Sequence, residues 1–160
     1  MIGVSAQVEA AMRQALEEAT SAVMSGEVPI GAVVLDASGS VIARDHNRRE
    51  AASDPTAHAE ILALRTAADR LGRWRLDDCT LVVTLEPCPM CAGAVVMARI
   101  PRLVFGAWND EYGAAGSRWD LVRDRRLNNR TEVIGGVLAD ECGAIVREFL
   151  GSQRPAREVR

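Results

Sequence analysis

Lysine is absent from this chain: all 19 basic residues among its 160 are arginine. Catalysis through a lysine Schiff base is therefore excluded. No apolar stretch approaches the roughly 20 residues that a membrane-spanning helix requires, and the N-terminal segment, with Glu9, Arg13, Glu17 and Glu18, lacks the apolar core of a signal peptide. No internal repeat, linker or low-complexity tract divides the sequence. Four cysteines occur among the 160 residues, and two of them, Cys88 and Cys91, are spaced three apart, as metal ligands are. That usage fits a reducing compartment, and a cytoplasmic location is expected. Cys79 and Cys142 read as small buried apolar residues.

The remaining composition is that of an ordinary globular domain, 48% hydrophobic and 26% charged. A chain of this length buries about 70% of its unfolded surface and needs no covalent staples. We expect one domain over residues 1–150 and a polar tail over 151–160. Net charge is −3, which alone argues against a nucleic-acid partner. The charge is uneven, however. Residues 1–116 carry 10 arginines against 15 acids, and residues 117–160 carry 9 against 7. A local basic surface is compatible with that split.

Apolar residues recurring at three and four positions predict a helix over 6–24, with Ser5 as its cap and Gly26 just past its end. Ile30 to Leu35 and Val41 to Arg44 read as strands around an Asp36-Ala37-Ser38-Gly39 turn. Residues 48–55 read as a polar loop, and Thr56 as the cap of a helix stopped by Gly72. A strand at Thr80 to Thr84 precedes a helix from Pro89 to about Arg99, capped by Cys88. A strand at Leu103 to Ala107, a Gly/Ala-rich loop over 108–116 and a helical turn near 118–124 follow. Glu132 to Ile134 reads as a brief strand, and Asp140 as the cap of a last helix reaching Leu150. Alternation of this kind predicts an α/β sandwich, helix–sheet–helix, with a mixed or partly parallel sheet.

The chemistry concentrates in His58-Ala59-Glu60 and Pro87-Cys88-Pro89-Met90-Cys91. One imidazole and two thiols make three zinc ligands, and a catalytic zinc keeps its fourth tetrahedral position for water. Zinc brings the pKa of bound water to about 7, where Glu60 can take its proton and return it to a leaving group. Both halves fall at helix N-termini, where the helix dipole stabilises the Cys88 and Cys91 thiolates. His58 and Glu60, two apart, would diverge on a regular helix. Two plainer readings stand beside this one: a redox pair, or a structural zinc closed by Cys79, Cys142 or His46. The spacing H-x-E…P-C-x-x-C favours zinc-dependent nucleobase deamination.

The segments Glu27-Val28-Pro29-Ile30-Gly31-Ala32, Asp54 to Ile61, Thr84 to Ala94, Gly113-Ala114-Ala115-Gly116-Ser117 and Gly136 to Cys142 closely resemble the bacterial tRNA-specific adenosine deaminases, over about residues 7–150. The resemblance implies a three-layer α/β/α sandwich around a five-stranded mixed sheet, as in the wider cytidine deaminase-like superfamily. It also implies one zinc per chain on His58, Cys88 and Cys91, Glu60 as proton shuttle, and a homodimer acting on a tRNA anticodon stem-loop. The activity implied is hydrolysis of the wobble adenosine to inosine. Substrate contacts are implied at Val28, Asn47, Ala59, Asn109 and Phe149. Two positions depart from the family pattern: Asn109 replaces an acidic residue, and Asn129 replaces a histidine, both in loops expected to face RNA. The alternatives are a free-base or free-nucleoside deaminase of the guanine or cytosine type, and a non-catalytic zinc-binding module.

Overall fold

Helix α1 (Ala6–Met24) starts where the Ser5 side chain accepts a hydrogen bond from the Val8 N–H, the cap read from the sequence. Its buried stripe of Val8, Ala11, Met12, Ala15, Ala19 and Ala22 is nearly all small. The helix therefore lies so close to the sheet that a Cβ on Gly31 would strike the Ala15 carbonyl oxygen. The computed structural model describes residues 5–153; most of the expected tail lies outside them.

Strands β1 (Gly31–Leu35) and β2 (Val41–His46) form an antiparallel hairpin. Its turn is organised by the Asp36 carboxylate, which accepts the N–H groups of Ser38 and Ser40. Strand β3 (Thr80–Leu85) pairs antiparallel with β1. Strands β4 (Arg102–Ala107) and β5 (Glu132–Ile134) then add in parallel. The result is a five-stranded mixed sheet in the order β2-β1-β3-β4-β5.

Side chains alternate across each strand, so the sheet has two cores. Ala32, Val34, Leu81, Val83, Leu103 and Phe105 face α3 (Ala59–Leu71) and α4 (Pro89–Met97). Val33, Leu35, Val82 and Val104 face α1 and α5 (Ala139–Ser152). Cys79 is buried in the first core and Cys142 in the second, and neither forms a disulfide. No helix among the described residues is long and apolar enough to cross a membrane.

Four local expectations are corrected. The 48–55 segment contains a one-turn helix, α2 (Arg49–Ala52), closed by Ser53 in the left-handed conformation. Thr56 does not cap α3; its N–H and hydroxyl are held by Asp54 Oδ1, and His58 occupies the cap position. The last helix begins after Leu138, whose left-handed backbone turns the chain into α5, with Asp140 already inside its first turn. That helix continues two residues beyond Leu150.

Candidate metal centre and cleft

The C-terminal ends of β2 and β3, both beside the start of β1, deliver two chain turns to one point, because α3 and α4 both pack on the same sheet face. His58 is the residue before α3, extended at φ −78° and ψ 151°. This resolves the two-residue spacing, since His58 lies outside the helix and only Glu60 is inside its first turn. Cys88 precedes α4 in the same way, Pro89 takes the first helical position, and Cys91 lies in the first turn.

His58 Nδ1 is 3.7 Å from Cys88 Sγ and 3.5 Å from Cys91 Sγ, and the three ligand atoms lie within 4.8 Å of one another. A tetrahedral zinc with bonds of about 2.3 Å to sulfur and about 2.0–2.1 Å to nitrogen separates those atoms by about 3.6 Å. The donor set therefore fits zinc in both chemistry and spacing. Among the described residues no fourth protein ligand joins it: His46 Nδ1 pairs with Glu18 Oε2 at 2.9 Å, while Cys79 and Cys142 are in the cores. A closed structural site is thereby excluded for these residues.

The charge state follows from proximity. A hydrogen bond from Cys91 and a second from His58 bring Cys88 down to about 4, and donating that proton to Cys88 holds the Cys91 thiol up. The Cys88 partner raises His58. Sulfur ligands bind zinc as thiolates, and a dication is the partner that stabilises both in the ionised form.

Glu60 is 3% exposed, and its Oε2 is buried without a hydrogen-bond partner. Burial pushes its carboxyl up to about 7, with the Cys88 thiolate adding to the rise. An unpaired buried carboxyl oxygen costs about 1–3 kcal/mol or more. Such an atom has a use where a reacting group arrives. Glu60 lines a cleft of about 480 Å³ with His58, Cys88, Arg49, Asn109 and Tyr112, within the range of small-ligand sites.

The other substrate positions divide. Asn109 lines this cleft. Val28, Asn47 and Phe149 line a separate cavity of about 270 Å³, and Arg49 borders both. Phe149 is half-buried and belongs to neither core, whereas the Ala59 side chain is fully buried in the first core. Contact between Ala59 and a substrate would thus run through its backbone. The Asn129 amide donates to the Ile100 carbonyl at 3.2 Å and to Thr131 Oγ1 at 3.3 Å, tying its loop to the residue before β5.

One organising residue escaped the sequence reading. Glu86, 1% exposed, accepts the N–H groups of Asn109, Ala115 and Ser117 and the Ser117 hydroxyl. It ties the 109–117 loop to the strand end that carries the cysteines. Gly113 has no Cβ because the Glu86 carboxylate occupies that space. The available signal was an acid ending an apolar strand, opposite a run of small residues that lets backbone approach closely.

Residues 5–107 match the cytidine and deoxycytidylate deaminase zinc-binding region. A tRNA-specific adenosine deaminase of Bacillus subtilis is 46% identical over 96% of this chain and 94% of its own. A solved tRNA:A34 deaminase acting at the wobble position superposes with a TM-score of 0.82 at 43% identity, covering 85% of this chain and 98% of that one. A guanine deaminase from Nitrosomonas europaea gives a TM-score of 0.78 at 28% identity, over 94% of this chain and 96% of its own.

Proposed function

This chain belongs to the cytidine and deoxycytidylate deaminase zinc-binding family, and on that premise we propose that it hydrolyses adenosine to inosine at the wobble position of a tRNA anticodon. The observation that carries the chemistry is the partnerless Glu60 Oε2 beside a three-ligand site. His58, Cys88 and Cys91 would hold a zinc ion, which would lower the pKa of a bound water to about 7.

Glu60 accepts a proton from the attacking water and passes it to N1 of adenine as the new C–O bond forms at C6. The C6–N bond then breaks, Glu60 assists the second proton transfer, and ammonia leaves. Water is consumed and one ammonia released, so the adenine becomes a hypoxanthine. The half-buried cleft excludes bulk water from these transfers, and the base reaches it cheaply because a loop nucleotide is already unpaired. Asn109 from the loop wall orients the flipped nucleoside. Val28, Asn47 and Phe149 serve the nucleotide chain in the neighbouring cavity.

Identity to the tRNA-acting relatives supports the RNA substrate over the guanine reading. The expected location is the cytoplasm, where the tRNA pool is, and the expected form is a homodimer. Trp74 and Met97, exposed beside the apolar groove between α3 and α4, form a face that a second copy would cover. The test is incubation of zinc-loaded protein with an anticodon stem-loop, free adenosine and free guanine. Inosine in the stem-loop alone, with binding that weakens as salt rises, supports the proposal. Comparable turnover of a free base would replace it with the small-molecule reading.

A further inference from the structure

The solvent edge of the cleft carries two aromatic rings that the deamination chemistry does not use. Tyr112 is 62% exposed and Trp119 51% exposed. Tyr112 lines the cleft that holds Glu60, and Trp119 lines an adjoining cavity of about 470 Å³. Pro89 forms a wall of both. The two cavities therefore share one wall residue, and each carries one exposed ring.

Their backbones are fixed. Tyr112 donates its N–H to Asn109 Oδ1 at 3.0 Å, and Gly113 donates to the Asn109 carbonyl at 2.7 Å. Trp119 donates to the Gly113 carbonyl at 3.1 Å and accepts from Gly116 at 2.9 Å. Glu86 clamps the same loop from beneath. Rings carried on an ordered loop bind with less conformational cost than rings on a free one.

A nucleotide placed at Glu60 has neighbours one step away on each side. In an RNA loop their bases are unpaired, and an aromatic face accepts any base by stacking. The local charge permits a phosphate chain. Asp120 and Asp124 are paired with Arg123 and Arg126, while Arg118 and Arg125 make no ion pair among the described residues; Asp110 and Glu111 are the opposing acids.

We infer that Tyr112 and Trp119 are stacking platforms for the unpaired bases flanking the deaminated nucleoside, an assignment that rests on the RNA-loop substrate proposed above. The test compares wild type with Tyr112→Ala, Tyr112→Phe, Trp119→Ala and Trp119→Phe on an anticodon stem-loop. The comparison is repeated on stem-loops made abasic at the nucleotide before or after the target. Each alanine variant should raise KM roughly 5- to 100-fold, the range for one lost base–aromatic stack. Zinc content and kcat at saturating RNA should be kept, and each phenylalanine variant should restore most of the loss. On the matching abasic RNA the alanine penalty should vanish, because the partner is already gone. Undiminished KM, or an equal penalty on all RNAs, overturns the stacking assignment alone. Dissociation of the homodimer in the alanine variants, read by sedimentation, would assign the rings to a second copy instead. No inosine from the wild type on any stem-loop would remove the RNA reading together with this one.

Discussion

Glu86→Gln tests how far one buried side chain shapes the cleft. Glu86 Oε1 accepts the N–H groups of Ala115 at 3.0 Å and Ser117 at 2.9 Å, and Oε2 accepts the Asn109 N–H at 3.1 Å and the Ser117 hydroxyl. Glutamine keeps the shape and one acceptor. Its oxygen should stay on the Ala115 side, where the bond is fully buried. The new NH2 group then faces the Asn109 N–H, donor against donor, while the Ser117 hydroxyl rotates to accept. One bond to a charged acceptor is lost, at about 1.5–3 kcal/mol, and two others weaken to neutral strength. Partial water access at Asn109 trims the total to about 2–3 kcal/mol. For a domain of this size that corresponds to a fall in Tm of about 4–12 °C. Thermal unfolding by circular dichroism reads the stability, and amide exchange at residues 109, 115 and 117 reads the loop. Zinc content should be unchanged, since no ligand is touched, and inosine formation should fall because Asn109 and Tyr112 ride on the loosened loop. A Tm within about 2 °C of wild type with unchanged exchange would refute the reasoning, since that is less than one such bond is worth.

Four further outcomes are expected. Glu60→Gln should retain zinc by elemental analysis and lose turnover by about 10²–10⁴-fold, as for other general acid–base groups; zinc loss would make Glu60 a ligand instead. Cys91→Ala should lose zinc and unfold at lower temperature, because metal binding and folding are coupled; full zinc occupancy would contradict the assigned ligand set. Gly31→Ala should destabilise by about 1–3 kcal/mol in urea titration, the cost of overpacking, since its Cβ meets the Ala15 backbone; a neutral result would mean that α1 shifts freely. Asn109→Asp should leave the loop intact, because Oδ1 keeps its bonds from Glu111 and Tyr112. It should also raise the preference for RNA over matched single-stranded DNA by about 1 kcal/mol, the net value of one hydrogen bond to the ribose hydroxyl; an unchanged ratio would show that this side chain does not sense the sugar.

Much of this protein is settled by local chemistry. Ser5 caps α1, Gly72 ends α3 in the left-handed conformation, and Pro89 opens α4 with Cys88 before it. Each depends only on residues within a turn of itself, so each is legible along the chain. The central strands are legible as short apolar runs, although nothing in runs buried on both faces says which residue meets which core. The ligand residues are equally plain, because the donor types and their spacing identify zinc without coordinates.

The rest required long-range packing. Whether Thr56 or His58 caps α3 turns on Asp54, which captures Thr56, and on the cysteines, which draw His58 into an extended backbone. The polar run at 48–55 gave no sign of α2, because a one-turn helix has too little periodicity to read and is supported by Glu27, 24 residues away, accepting the Ala51 N–H. Asn129 looked like a surface letter until the Ile100 carbonyl, 29 residues distant in sequence, appeared beside it. Glu86 is the clearest case. Its neighbours mark it only as an acid ending an apolar strand; the loop it serves begins 23 residues later, and the pairing exists only once β4 lies beside β3 and returns the chain to the cleft. Residue types and short spacings determined which atoms could bind zinc and move a proton; the packing of two helices on one sheet face decided that those atoms meet, and which loop closes over them.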